Sequence, residues 1–130
     1  MAKILCVEDE DEIRADIVEE LMDAGHEVLA ASNGLEGLQA VADFRPDLII
    51  SDCLMPKMTG LEFFQALRRD YPDFAKVPFV FLSAHADKSH VAEGMALGAN
   101  VYLTKPVDYD KLLMVVNALL DHGTRAEPEG

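Results

Sequence analysis

Basic residues are scarce in this chain. Its 130 residues include 11 Lys and Arg against 24 Asp and Glu, for a formal net charge of −13. A phosphate backbone is gripped by a basic patch, so nucleic-acid binding is disfavoured. Cysteine is scarcer still. Cys6 and Cys53 make no disulfide framework and no zinc spacing. Cys6 reads as a small core residue, and Cys53, next to Asp52, as partly open to solvent. His26, His85, His90 and His122 lack metal-ligand spacing too. No apolar run approaches the roughly 20 residues of a membrane span. The start, Met-Ala-Lys-Ile-Leu, lacks the apolar core of a secretory signal. A cytoplasmic protein without membrane association is expected. No repeat or linker divides the chain. We expect one domain over 1–123 and a short polar tail over 124–130, with no room for an output domain after Asp121.

Hydrophobic residues are plentiful, at 50% of the chain, enough for a single core rather than disorder. The acid is concentrated near the start. Between Glu8 and Glu27 stand Glu8, Asp9, Glu10, Asp11, Glu12, Asp16, Glu19, Glu20, Asp23 and Glu27 against one base, Arg14. Most of these read as a solvated helix face.

Strand-like and helix-like segments alternate throughout, the pattern of an α/β protein with a parallel sheet. Strands are predicted at Lys3–Val7, Glu27–Ala31, Asp47–Ser51, Phe79–Leu82 and Asn100–Leu103. The helix over Asp11–Ala24 places Ile13, Ile17, Leu21 and Ala24 at helical spacing, and Gly25 stops it. The next helix follows an Asn33-Gly34 turn and runs to Phe44, with Leu35, Leu38 and Ala42 inward. A third covers Leu61–Arg69, with Phe64 and Leu67 on one face. A fourth covers Lys88–Leu97, and a fifth Tyr109–Asp121, capped by Gly123. Met22, Met55, Met58, Met95 and Met114 read as packing or loop residues.

The predicted strands stop on reactive groups. Ile4-Leu5-Cys6-Val7 runs into Glu8-Asp9, and Leu48-Ile49-Ile50 into Ser51-Asp52. Phe79-Val80-Phe81-Leu82 runs into Ser83, and Val101-Tyr102-Leu103-Thr104 into Lys105-Pro106. The carboxyl ends of parallel strands line one crevice, where ligands bind. Three carboxylates, one hydroxyl and one ammonium therefore converge. Such carboxylates suit a hard divalent cation, and the other groups suit phosphoryl oxygens.

With these motifs in order, the chain resembles a bacterial response-regulator receiver domain over about residues 3–121. The matching stretches are Val7-Glu8-Asp9, Asp52 through Gly60, Leu82-Ser83-Ala84, and Tyr102-Leu103-Thr104-Lys105-Pro106. The resemblance implies a doubly wound five-stranded parallel sheet, order 2-1-3-4-5, with five helices. It implies Asp52 as phosphoacceptor and Mg²⁺ as cofactor. Asp9 would be a direct metal ligand, Glu8 a ligand through water, and the Leu54 backbone carbonyl a further ligand. Lys105 would pair with Asp52 and later with the phosphoryl group, which Ser83 would hydrogen-bond. Tyr102 would be the switch residue beside Ser83, and the Lys105-Pro106 bond would be cis. The implied donor is a phosphohistidine on a histidine kinase or phosphotransfer protein. The implied output is a protein partner bound through the face of the fourth helix, fifth strand and fifth helix. Glu8 departs from the family's usual Asp, Ser83 from the commoner Thr, and Leu54 from the polar residue of many relatives.

Formal charges support the chemistry. Glu8, Asp9 and Asp52 carry three negative charges, Lys105 one positive, and Mg²⁺ closes the sum. Without metal the crowded carboxylates repel one another, and some pKa values should rise. An ionised Asp52 needs no general base to attack phosphorus. Ala84 leaves room beside Ser83. Leu54 cannot orient a hydrolytic water, so slow phosphoryl loss is expected, with His85 the other neighbour able to affect that water. The chain would catalyse only its own phosphorylation and dephosphorylation. A phosphorelay shuttle and a phosphate sink fit the same residues. A Mg²⁺-dependent aspartyl phosphatase would usually carry a second Asp where Leu54 stands. A flavodoxin would need donors, not Glu8-Asp9-Glu10-Asp11, after its first strand.

Overall fold

The computed structural model describes residues 2–84 and 88–129, with side chains placed for 2–84 and 92–121. His85 lies outside the described residues, as do the side chains of His90 and His122.

The five strands are β1 (Lys3–Val7), β2 (Glu27–Ala31), β3 (Leu48–Asp52), β4 (Phe79–Ser83) and β5 (Val101–Thr104). All four pairings are parallel, and the order is β2-β1-β3-β4-β5. The helices are α1 (Asp11–Asp23), α2 (Gly34–Phe44), α3 (Gly60–Asp70), α4 (Lys88–Ala96) and α5 (Tyr109–Glu129), with a short 3₁₀ turn at Pro72–Phe74. Fold class and sheet order are those expected.

Side chains alternate across a strand, so the central strands β1, β3 and β4 each feed two cores. Leu5, Val7, Ile49, Phe79 and Phe81 pack with Val41 of α2 and Phe63, Phe64 and Leu67 of α3. Ile4, Cys6, Leu48, Ile50, Val80 and Leu82 pack with Ile17 and Leu21 of α1 and Leu112 and Val116 of α5. A strand buried on both faces must be apolar throughout, which is why β1, β3 and β4 read as continuous runs.

Several boundaries and faces differ from the sequence expectation. β3, β4 and β5 each extend one residue into their polar ends, because Asp52 pairs with Leu82 and Ser83 with Thr104 in the ladder. Backbone pairing, not side-chain polarity, ends a strand. Leu35 is 42% exposed, and Ala42 is exposed too. α2 instead buries Gly34, Gly37 and Val41. A Cβ on Gly37 would stand 2.9 Å from Val7 Cγ2 and 3.3 Å from the Phe63 ring, so the helix approaches the sheet at Gly37. Cys53 is buried rather than partly open. α5 continues through Gly123 to Glu129, past the expected end at Asp121 and the expected Gly123 cap. A glycine stops a helix by taking positive φ, as Gly25 does at 96° and Gly98 at 115°. Within a helix it costs only about 1 kcal/mol.

Candidate functional site

The strand order reverses between β1 and β3, and their carboxyl ends form the crevice such sheets use for ligands. Glu8 follows β1 directly, its N–H donating to the Ala31 carbonyl at 3.0 Å. Asp52 closes β3, and the next N–H, that of Cys53, donates to the Leu82 carbonyl at 3.0 Å. Ser83 closes β4 and is buried. Lys105 follows β5, its N–H held by the Ser83 carbonyl at 2.8 Å. The Lys105–Pro106 peptide is cis.

The side chains of Glu8, Asp9, Asp52 and Lys105 meet, while Ser83 touches this group through its carbonyl bond to the Lys105 N–H. Ligand atoms of Glu8, Asp9 and Asp52 lie within 4.8 Å of one another. Lys105 Nζ is 2.9 Å from Asp52 Oδ2, 3.0 Å from Glu8 Oε1 and 3.9 Å from Glu10 Oε1. Glu8 is fully buried and Asp52 nearly so, at 4% exposure. Buried charges are tolerated only when paired, and here one ammonium serves two carboxylates. The Glu8 carboxylate, one methylene longer than an aspartate's, reaches Lys105.

Burial is the largest influence on Asp52. With the charge of Glu8 and a hydrogen bond involving Asp9, it outweighs Lys105 and pushes the Asp52 pKa up to about 7. That is the direction expected of crowded carboxylates. Burial opposes the Lys105 ammonium, but Asp52 and Glu8 together hold its pKa above the usual value. Burial and then Glu8 push the Cys6 thiol up to about 12, so it is an inert core group.

Three carboxylates with hard oxygen donors are the right chemistry for a small divalent cation. One observation bears on the fit. Glu8 Oε1 is buried and has no aligned hydrogen bond. Its ion-pair partner is the Lys105 ammonium. An oxygen so placed has coordination capacity left over.

Leu54 points its side chain out, at 45% exposure, just after Asp52. Lys57 takes the left-handed conformation, φ 71°, as the loop turns back. Thr59 and Glu62 then cap α3 reciprocally, at 2.9 and 3.1 Å. Gly60 lies against the Asp52 carbonyl, and a Cβ there would collide with it. Tyr102 is 48% exposed on β5 and pairs in the ladder with Phe81, while Ser83 pairs with Thr104.

Sequence reasoning missed three participants. Glu10 borders Lys105. Gly60, read as loop punctuation, permits the close approach to Asp52. Arg14 donates to the Glu8 carbonyl at 2.9 Å. The available signal for Arg14 was its isolation, one base among ten acids.

This is a receiver-type α/β pocket. The sequence matches the family described as "Response regulator receiver domain" over residues 4–117. Protein PilH of Pseudomonas aeruginosa is 32% identical over 120 residues, covering 92% of this chain and 98% of that protein. "Probable transcriptional regulator ycf29" of Pyropia yezoensis is 36% identical over 118 residues, covering 91% of this chain and 53% of the relative. The chain likewise spans about half of the length of several other curated relatives it matches. Among solved structures, chemotaxis protein CheY4 of Vibrio cholerae superposes with a TM-score of 0.84 at 38% identity, covering 92% of this chain and 98% of that one. A receiver domain protein from Clostridium thermocellum gives 0.88 at 30%, covering 97% and 99%. The chain belongs to the response-regulator receiver family and carries a receiver domain of two-component signalling. No helix among the described residues is long and apolar enough to cross a membrane.

Proposed function

We propose that Asp52 is the phosphoacceptor, loaded from a phosphohistidine of a histidine kinase or phosphotransfer protein in the presence of Mg²⁺. The observation that carries this reading is the Asp52–Lys105 pair at 2.9 Å, set among Glu8 and Asp9 at the sheet's switch point. Asp9, Asp52 and the Leu54 carbonyl would hold the metal directly, and Glu8 through water. Bound there, Mg²⁺ supplies positive charge facing the phosphoryl oxygens.

The protein's part is to position and neutralise. An Asp52 carboxylate oxygen attacks phosphorus in line, the new O–P bond forms, and the P–N bond to the donor imidazole breaks. The imidazole leaves with the bonding electron pair. Lys105, already 2.9 Å from Asp52, turns its ammonium to a phosphoryl oxygen. Glu8 keeps hold of the same ammonium, so Lys105 stays in place as its partner changes. The Ser83 hydroxyl meets another phosphoryl oxygen.

Output would follow from Ser83. Drawn toward the phosphoryl group, it vacates space beside β5, and the exposed Tyr102 ring turns in. Hydrogen bonds to charged groups contribute about 1.5–3 kcal/mol. That biases a two-state loop, although a full swing needs about 5.5 kcal/mol. Met95, Tyr102 and Met114 are exposed apolar groups on α4, β5 and α5, and this face suits a protein partner.

Incubation with acetyl phosphate and Mg²⁺, followed by mass spectrometry, tests the reading. The native protein gains one phosphoryl group, Asp52→Asn gains none, and the Tyr102 ring signals shift by NMR. An equal adduct on Asp52→Asn would refute Asp52 as acceptor. Unmoved Tyr102 signals would refute the switch.

A further inference from the structure

The loop bearing the acidic pair has few anchors of its own. Glu10 is the residue before α1, yet its side chain makes no capping bond. Besides the Glu8 N–H bond to Ala31 and the Lys105 ion pairs, four hydrogen bonds hold the loop and the start of the helix. Glu10 N–H donates to Glu8 Oε2 at 3.0 Å. Arg14 N–H donates to the Glu10 carbonyl at 2.9 Å. The Arg14 guanidinium donates through one nitrogen to the Glu8 carbonyl at 2.9 Å and through the other to Asp11 Oδ1 at 2.6 Å.

The contact with Glu8 matters most. A peptide is planar, so the direction of the Glu8 carbonyl also sets the Asp9 N–H and the Asp9 Cα. We infer that Arg14 is a positioning residue for the cation pocket: by gripping the Glu8 carbonyl it orients the Glu8–Asp9 peptide and aims Asp9 at the metal. The inference rests on the Mg²⁺ reading given above. Arg14 is suited to this because its rigid fork holds two oxygens at once, whereas an ammonium is a single point charge. It is only 22% exposed, against 88% for Asp11, so its inner contact is the sheltered one.

Charge and position make opposite demands here. Removing a cation beside three carboxylates should, by electrostatics alone, tighten Mg²⁺ binding. Losing the orientation of Asp9 should weaken it. Groups that orient metal ligands typically contribute about 10- to 100-fold in metal affinity.

The test is a calorimetric titration of the full chain with MgCl₂, with thermal melts alongside. Arg14→Gln should bind about 10-fold more weakly than the native protein. Arg14→Lys should recover little of that loss, despite its charge, and should shift the Asp9 amide in metal-free NMR spectra. If Arg14→Gln does not fold, Arg14→Lys carries the test alone. Lys3→Gln is the charge control, since its ammonium sits over Phe44, 5.0 Å from the ring centroid, at the opposite end of β1. It should bind as the native protein does. Equal or tighter binding by both Arg14 variants, beside normal native binding, would overturn the positioning role alone. A native protein that does not bind Mg²⁺ would overturn the metal reading and this inference with it.

Discussion

Replacing Asp52 by asparagine should stabilise the metal-free protein, and the gain should depend on pH. Burial and the Glu8 charge raise the Asp52 pKa from 3.8 to about 7. Below both values the folded and unfolded chains each keep the proton, and there is no penalty. Between them the unfolded chain has released a proton that the folded chain still holds. Native stability therefore falls as pH rises through this window, and the full penalty persists above it. A shift of roughly three pH units corresponds to a ceiling of about 4 kcal/mol. Water at the mouth of the crevice and dissolved salt screen the site, and halving the ceiling leaves about 2 kcal/mol. For a domain of this size that is roughly 6–10 °C in melting temperature. The assay is a series of melts in chelator from pH 4.5 to 8 on native protein and Asp52→Asn. The gap should be smallest at the acid end and widen toward pH 7, with the variant more stable. Saturating Mg²⁺ should narrow the gap, because it binds the native carboxylates better and stabilises only what it binds. Parallel curves across the whole range, or a variant less stable at pH 7.5, would refute the reasoning.

Two further outcomes concern the loop after β3. Gly60→Ala should destabilise by about 1–3 kcal/mol, as overpacking does. Its Cβ meets the Asp52 carbonyl and, at 3.0 Å, Cys53 Cα, both of them backbone. Urea melts measure the loss, and a neutral variant would mean the loop shifts freely. Leu54→Asn should speed loss of the phosphoryl group, because an amide can orient a water and the exposed leucine cannot. Decay of the phosphorylated mass peak measures it, and an already fast native rate unchanged by the substitution would count against the idea.

β1, β3 and β4 were legible in the sequence because burial on both faces forces continuous apolar runs, and a run that ends on a carboxylate, hydroxyl or ammonium marks the crevice. Glu8, Asp9, Asp52, Ser83 and Lys105 could therefore be named before any coordinates, at the ends of four strands. Distances across the chain were not legible. Hydrophobic periodicity assigned Leu35 and Ala42 to the inner face of α2, but glycine adds nothing to that pattern. Gly34 and Gly37 lie inside because Met58 of the loop before α3, and Val7 of β1 with Phe63 of α3, come too close for a larger side chain. The sharing of Lys105 between Asp52 and Glu8, and the hold of Arg14 on the Glu8 carbonyl, depend on where β5 and α1 bring their side chains. Local sequence sets which groups stand at the ends of strands; only the packed sheet and helices decide which of them touch.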